Sequence, residues 1–308
     1  MADAADATVV AVVVTYHPEP AALRRLLDAT ALQVDAVVVV DNGSTPETLR
    51  AVEDAVRSVG GTLVALGENR GIATAQNVGC DRARDAGARQ VLLLDQDSVP
   101  VPGMVARLRT ALAEPAPDGR PVAATGAVAR DDRDGEPPFV YAAQRFGPRR
   151  VDLPEQDGAR VEAAFLIASG CLVDVDALDR VGPMRDDFFI DHVDLEWGVR
   201  ARAAGYALYA VVGAELRHEL GETPRTVPGR GRTVHVQSVV RNYYMTRNTI
   251  LLVRSPLLTA GWRVGYLWWI AKYVLFYVVA VAPRRRRVPL MLRGLRDGLL
   301  GRTGPIPT

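Results

Sequence analysis

Gln90-Val91-Leu92-Leu93-Leu94-Asp95-Gln96-Asp97 is a short apolar run that ends in two carboxylates one residue apart. Near-continuous Val and Leu is typical of a strand buried on both faces of a mostly parallel sheet. Similar runs at residues 9–14, 36–40 and 62–66 are separated by amphipathic segments. We expect helices over residues 21–29, 47–59, 73–86 and 103–113. The pattern predicts alternating strands and helices around a mostly parallel sheet.

Polar residues follow each of these runs. Thr15, Asp41, Asn69 and Asp95 all lie at or just beyond a predicted strand end. In open α/β sheets, ligands bind beyond the carboxyl ends of the strands. The four segments are therefore expected to share one binding site.

The region after residue 113 is less regular. Pro, Gly, Asp and Arg dominate residues 114–160, which predicts a loop-rich stretch with one strand at 122–129. Order is expected to return at 162–167, followed by a turn at Ser169-Gly170-Cys171 and a helix at 175–181. A second helix is predicted from His192 to Gly205, and a strand over 206–212.

Composition excludes several classes of protein. A formal charge of +1 argues against a nucleic-acid binder with a broad basic surface. The two cysteines, Cys80 and Cys171, are far apart and indicate neither a disulfide framework nor a structural zinc site. The acidic N-terminus lacks the pattern of a secretory signal, so we expect a cytoplasmic catalytic part.

The segment 264–282 is almost wholly apolar and aromatic, and four arginines follow at 284–287. Its Trp and Tyr residues are typical of a membrane interface, and arginines favour anionic lipid. We therefore favour a helix lying in the inner face of the cell membrane. A buried core helix and a true membrane span are the alternatives.

Asp95 and Asp97 are candidates for a metal site. Two close carboxylates raise each other's pKa unless a cation neutralises them, and Mg²⁺ or Mn²⁺ prefers oxygen ligands. A solvated turn is the alternative. His218, which follows a predicted strand, could complete the metal's ligands.

The other strand-end motifs are weaker alone. Asp41 in Asp41-Asn42-Gly43-Ser44 could accept a hydrogen bond from a pyrimidine base or simply close a turn before the next helix. In Asn69-Arg70-Gly71, the glycine permits close approach of a ligand and the arginine can meet a phosphate.

The segment Phe188-Phe189-Ile190-Asp191-His192-Val193-Asp194-Leu195-Glu196-Trp197 places three carboxylates near a helix start. Acidic residues there can simply interact with the helix dipole. Asp191 precedes the helix proper, where a side chain can project into a cleft as a general base.

Taken together with Ala75-Gln76-Asn77-Val78-Gly79 and Arg241-Asn242-Tyr243-Tyr244-Met245-Thr246-Arg247-Asn248, these motifs resemble family 2 glycosyltransferases of the GT-A fold. The resemblance covers roughly residues 8–250. Asp95-Gln96-Asp97-Ser98-Val99-Pro100 and the Asp191 segment are most similar to bacterial rhamnosyltransferases.

The resemblance implies an inverting transfer of L-rhamnose from dTDP-L-rhamnose, with a divalent cation as cofactor. It implies base contact by Asp41, sugar or ribose contact by Asp95, metal binding by Asp97 and His218, and a general base at Asp191. His192 replaces the commoner second acid, which leaves Asp194 as a rival base. The implied remainder of the nucleotide-sugar site is Thr15, Tyr16, Asn69, Arg70, Gly71, Asn77 and Gln96, with Trp197, Arg241 and Arg247 near the acceptor or a phosphate.

We expect a catalytic domain over residues 1–234, with a nucleotide-sugar half at 1–100 and an acceptor half at 101–234. A helical region at 235–308 would carry the membrane-interface segment 264–287. The basic, membrane-seeking end suggests a lipid-linked or cell-surface polysaccharide acceptor.

Four alternatives to this activity stay open. Another family 2 donor, such as a UDP-linked hexose, would use the same fold. A nucleotidyltransferase or an oxidoreductase is disfavoured because the first strand lacks a glycine-rich phosphate loop. An inactive membrane-recruited scaffold would leave the acidic cluster without a role.

Overall fold

The computed structural model describes residues 8–130, 139–218, 225–226, 233–234 and 236–306. The strands, in chain order, are β1 (Val9–Thr15), β2 (Ala36–Asp41), β3 (Thr62–Ala65), β4 (Gln90–Asp95), β5 (Ser98–Pro100), β6 (Val122–Arg130), β7 (Phe139–Gln144), β8 (Gly147–Asp152), β9 (Arg160–Glu162), β10 (Cys171–Asp174), β11 (Ala207–His218), β12 (Arg225–Thr226) and β13 (Thr233–Val234). The helices are α1 (Pro20–Ala31), α2 (Pro46–Ser58), α3 (Ile72–Asp85), α4 (Met104–Ala113), α5 (Val175–Val181), α6 (Val193–Ala203), α7 (Val239–Arg254), α8 (Ala260–Ala280) and α9 (Arg284–Leu299).

One mixed sheet forms the centre of the molecule. Its order is β3-β2-β1-β4-β10-β6-β11-β5, with β9 paired to β11. Strands β3, β2, β1 and β4 are mutually parallel, whereas β10 is antiparallel to both of its neighbours. This confirms the predicted α/β architecture.

Strand β1 shows why its apolar run is continuous. Val10, Val12 and Val14 belong to the core on one side of the sheet, and Val9, Ala11 and Val13 to the core on the other. Helices α1, α2 and α4 contribute side chains to the second core, and α3, α5 and α6 to the first. A strand covered on both faces has no position where a polar side chain meets water.

The middle of the chain holds more strand than we predicted. Residues 139–152 form the antiparallel hairpin β7–β8, and Cys171 begins strand β10 rather than only ending a turn. Conversely, only Arg160–Glu162 is strand where an ordered segment at 162–167 was expected. The sequence pattern does not mark the hairpin, because its connection, Arg145-Phe146, holds none of the Gly, Asn or Asp residues typical of a two-residue turn.

The last three helices pack against one another, and α8 also packs against β8 of the hairpin. Helix α8 covers most of the predicted segment 264–282, and the arginines begin α9. No helix within the described ranges is both long and apolar enough to cross a membrane.

Arg287 departs from the prediction that all four arginines face lipid. It is buried, and its Nη1 donates to the Gln237 carbonyl at 2.8 Å and to Asn242 Oδ1. Its guanidinium also lies over the Tyr277 ring. Arg284, Arg285 and Arg286 are exposed. The fourth arginine therefore ties α9 to α7 and α8.

Candidate active site

The ends of β1 and β2 are joined by the carboxylate of Asp41. Its Oδ1 accepts from Thr15 Oγ1 at 3.1 Å, and its Oδ2 accepts from the backbone N–H of Ser44 at 2.9 Å. Asp41 is buried, and Thr45, not Asp41, caps α2. The bonds of the turn-closing alternative are thus formed, since the Asp41 oxygens accept from Thr15 on β1 and from the turn. Contact of Asp41 with a nucleotide base stays a prediction.

A second set of bonds extends this edge to β3. Asn42 Nδ2 donates to Asn69 Oδ1 at 3.2 Å, and Asn42 Oδ1 accepts from the N–H of Arg70 at 2.8 Å. Asn69 Oδ1 also accepts from the N–H of Gly71 at 3.0 Å. The Arg70 side chain is exposed beside this network, where it is open to an anion.

Gln96 links the first strand to the Asp95-Gln96-Asp97 turn. Its Oε1 accepts from the N–H of Tyr16 at 2.7 Å, and its Nε2 donates to the Tyr16 carbonyl at 3.2 Å. The backbone N–H of Asp95 donates to Ser169 Oγ at 3.0 Å. The four predicted segments thus meet at one sheet edge, as expected.

The residues proposed to hold a metal lie close along the backbone. Asp97 directly precedes β5, and His218 pairs with Ser98 across the β5–β11 ladder. The carboxylates of Asp95 and Asp97 are half-buried hard oxygen donors, which suit Mg²⁺ or Mn²⁺. Among the described side chains, which exclude that of His218, no group of three metal-binding residues is formed. The donor chemistry and the register fit a divalent cation.

Asp191 is buried and forms an ion pair with α7. Its Oδ1 accepts from Arg241 Nη2 at 2.6 Å and from Nε at 3.1 Å. Its Oδ2 is buried and has no hydrogen-bond partner among the residues that the structure describes. Burial raises the pKa of Asp191 even though Arg241 lowers it. An unsatisfied buried carboxylate oxygen of this kind is typical of functional sites.

The backbone around Asp191 is strained. Phe189, Asp191 and His192 all have φ between 63° and 67°, a left-handed conformation that costs an L-residue roughly 1 kcal/mol or more. Asn248 Nδ2 donates to the carbonyls of Phe188, Ile190 and Asp191 at 2.8–3.0 Å. These three hydrogen bonds hold the conformation in place.

Arg247, which precedes Asn248 on α7, supports the same segment. It is fully buried, and its Nη2 donates to the Phe188 carbonyl at 2.9 Å. Its guanidinium also lies over the rings of Tyr243 and Tyr244. The side chain is committed to the protein interior, which is not the placement that we expected for a phosphate contact.

Burial shifts the pKa values of Asp194 and His192 strongly and in opposite directions. Burial, with a smaller contribution from the nearby Asp191, raises the pKa of Asp194 to about 6. Burial lowers the pKa of His192 to about 4, and its Nε2 lies 2.8 Å from Thr249 Oγ1. His192 is therefore neutral near pH 7, whereas Asp194 gains a proton as the pH falls through about 6.

Gly71 brings the strand-end edge to the Asp191 segment. A Cβ on Gly71 would lie 2.6 Å from the Phe189 carbonyl oxygen, and the N–H of Ile72 donates to that oxygen at 2.8 Å. With φ at 87°, the position also favours glycine on conformational grounds. The turn at Gly71 and the Phe188–Asp191 segment are therefore in direct contact.

Two other predicted residues have structural partners. Asn77 exchanges two hydrogen bonds with the backbone of Met184, both at 2.8 Å. Trp197 is buried, and its Nε1 donates to the Gly182 carbonyl at 3.0 Å. Both side chains fix the segment that leads into Asp191 rather than lying open to a ligand.

Residues that the motifs did not single out complete the site. Asn248 and Thr249 come from α7, and Ser169 comes from the turn before β10. Asn248 was part of a quoted motif, but its partners are carbonyls 57 to 60 residues away. Only the three-dimensional fold identifies that pairing.

Asn248→Ala is expected to destabilise the protein by about 2 kcal/mol, because the carbonyls of Ile190 and Asp191 would lose their Asn248 donor, whereas that of Phe188 keeps Arg247. Hydrogen exchange should accelerate in the peptide covering residues 186–192. Asn242→Ala is the matched control, since Asn242 is also fully buried on α7 but donates to Tyr273. Unchanged exchange in Asn248→Ala, or equal acceleration in both variants, would contradict the positioning role.

The chain matches the model of Glycosyl transferase family 2 over residues 11–182, which is more than half of its length. It is 28% identical over 305 residues to the dTDP-rhamnosyl transferase RfbF of Shigella flexneri, covering 97% of this chain and 98% of that protein.

Solved structures support the same fold. The mannosyltransferase PcManGT from Pyrobaculum calidifontis, in complex with GDP-Man and Mn²⁺, is similar with a TM-score of 0.56 at 20% identity, over 98% of this chain and 77% of that one. S. aureus TarS 1–349 in complex with UDP-GlcNAc has a TM-score of 0.57 at 16% identity, over 96% and 81% of the two chains. The chain belongs to glycosyl transferase family 2 and has the GT-A fold.

Proposed function

We propose that this enzyme transfers L-rhamnose from dTDP-L-rhamnose to a hydroxyl of a lipid-linked or cell-surface polysaccharide acceptor. The full-length similarity to a dTDP-rhamnosyl transferase supports the donor. The observation that carries the chemistry is the buried Asp191 Oδ2, which is without a partner among the described residues. A transferase using a UDP-linked hexose is the alternative.

In the proposed reaction, the acceptor hydroxyl donates its proton to Asp191 as its oxygen attacks the anomeric carbon of the donor sugar. The bond from that carbon to the diphosphate oxygen breaks, and dTDP leaves. A single in-line displacement of this kind inverts the anomeric configuration. The raised pKa of Asp191 makes it a stronger proton acceptor than an exposed aspartate, and Arg241 keeps it oriented.

The donor would lie at the strand-end edge. Arg70 is exposed there beside the Asn42–Asn69 network, and the Tyr16 ring is 44% exposed and available to a nucleotide. Asp97, Asp95 and His218 would hold the divalent cation, which would supply positive charge to the leaving diphosphate. The buried Asp41 would keep this edge in shape.

Asp191→Asn is expected to reduce transfer roughly a hundredfold or more, because the amide cannot accept the hydroxyl proton. Binding of dTDP-L-rhamnose should stay nearly unchanged, since the base acts in the chemical step. Calorimetry measures donor binding, and release of dTDP with bacterial membranes as the acceptor source measures transfer.

Asp186→Asn is the matched control, because that carboxylate is exposed and only five positions away. Asp194→Asn tests whether Asp194, the rival base, accepts the proton instead. Full transfer by Asp191→Asn together with loss in Asp194→Asn would assign the proton to Asp194. Release of UDP from a UDP-hexose, with none of dTDP from dTDP-L-rhamnose, would replace the proposed donor.

We also propose that α8 and the start of α9 bind the inner face of the cell membrane. Val264, Trp268, Leu275 and Val279 are each at least 60% exposed, and their spacing places them along one side of α8. Arg284, Arg285 and Arg286 follow with exposed side chains. An apolar helix side next to exposed cations suits an anionic lipid surface.

Arg285→Gln/Arg286→Gln is expected to weaken binding to phosphatidylglycerol vesicles roughly 30-fold, given about 1 kcal/mol per cation. Vesicle pelleting measures the effect. Arg24→Gln/Arg25→Gln removes the same charge from exposed positions on α1 and should bind like the wild type. Equal pelleting with phosphatidylcholine vesicles, or equal loss in both variants, would count against membrane binding.

A further inference from the structure

A groove of about 430 Å³ lies between the β7–β8 hairpin, the start of α6 and helix α8. Aromatic side chains dominate its walls: Tyr141, Phe146, Phe165, Tyr266, Trp268 and Trp269. Its size is in the range of small-molecule binding sites, which are mostly apolar with a few polar groups.

The two walls are fitted to each other. Gly261 and Gly265 face the tip of the hairpin, and a Cβ on Gly265 would lie 1.8 Å from the Phe146 carbonyl oxygen. Trp262 Nε1 donates to the Gln144 carbonyl at 2.7 Å. The glycines on α8 therefore let the hairpin backbone rest directly on the helix, which fixes the width of the groove.

The groove reaches the acidic segment of the active site. His192 and Asp194 belong to its lining, and the His192 ring lies 6.1 Å from that of Tyr266 and 6.0 Å from that of Trp269. Asp191 is adjacent to His192 in the chain. A molecule in the groove would therefore end next to the segment that carries Asp191, the residue that we propose accepts the hydroxyl proton.

The charge of the lining favours an anion. Arg149 from β8 and Lys272 from α8 are exposed cations in the lining, and Asp194 is its single carboxylate among the described residues. Lys272 Nζ lies 5.7 Å from the centre of the Trp268 ring. Exposed cations beside aromatic faces can bind a phosphate group next to an apolar chain or a sugar ring.

The groove is continuous with the side of α8 that we propose meets lipid. Val264 and Trp268 line the groove and also belong to the exposed apolar side of the helix. A chain leaving the groove past these residues would enter the bilayer surface.

We infer that this groove binds the acceptor, and that the acceptor is a saccharide joined through a diphosphate to a lipid chain. The inference rests on the proposed function, because it assumes that a hydroxyl is delivered to Asp191. The aromatic walls would contact the sugar, Arg149 and Lys272 would bind the diphosphate, and the exposed side of α8 would meet the lipid. A neutral water-soluble glycan would use only the first of these three features.

The test uses decyl diphosphate below its micelle concentration, without divalent cation, and full-length protein. Trp268 and Trp269 line the groove, so tryptophan fluorescence reports binding. We expect Arg149→Glu/Lys272→Glu to weaken decyl diphosphate binding at least about tenfold, because two charge-assisted contacts are lost. Decyl maltoside lacks the charge, so its binding should differ little between the wild type and Arg149→Glu/Lys272→Glu.

Arg24→Glu/Arg25→Glu is the matched control: it reverses two exposed cations on α1, outside the groove, and should leave decyl diphosphate binding unchanged. Equal weakening in this control, displacement by dTDP, or no binding to the wild type would overturn the inference. Calorimetry with dTDP-L-rhamnose and Mg²⁺ is run on the same proteins. If the wild type binds the donor but not decyl diphosphate, only the acceptor role of the groove is rejected. If the wild type does not bind the donor, the proposed function is rejected.

Discussion

The hydrogen bonds from Asn248 to three carbonyls of the Phe188–Asp191 segment hold the site together. Without them, the segment that contains the left-handed residues 189, 191 and 192 would lose three of the hydrogen bonds that hold its strained backbone. The same segment accepts the N–H of Ile72 through Phe189, so it also anchors the start of α3. The orientation of Asp191 and the contact with the strand-end edge both depend on α7.

The contacts of α7 with the Asp191 segment give the C-terminal region a structural role at the candidate site. A division at residue 234 assigns α7 to a membrane-associating appendage, yet α7 contributes Arg241, Arg247 and Asn248 to the Asp191 segment. In turn, α9 packs on α7, and Arg287 ties it to Asn242. We propose that the C-terminal helices are part of the catalytic unit as well as its link to the membrane.

The sequence predicted the elements whose cause is local. Strand β1 was identifiable because a strand buried on both faces must be apolar throughout. The position of Asp95 and Asp97 at the end of a strand was identifiable because the two carboxylates directly follow such an apolar run. The roles of buried polar residues were not identifiable in this way. Nothing local distinguishes Arg247, which lies in the interior, from Arg241, which meets a carboxylate, because their partners are about 50 to 60 residues away. The groove was hidden for the same reason, since Gly265 and Phe146 are brought together only by the tertiary fold.

We propose that the strand-end edge and the Asp191 segment form one sugar-transfer site. A crystal structure of the full chain with dTDP and Mn²⁺, using anomalous scattering to locate the metal, tests it most directly. We expect Mn²⁺ on Asp97, the diphosphate of dTDP beside it, and Asp191 facing the terminal phosphate, to which the donor sugar would be attached. A metal peak remote from Asp95 and Asp97, or dTDP bound away from this edge, would contradict it.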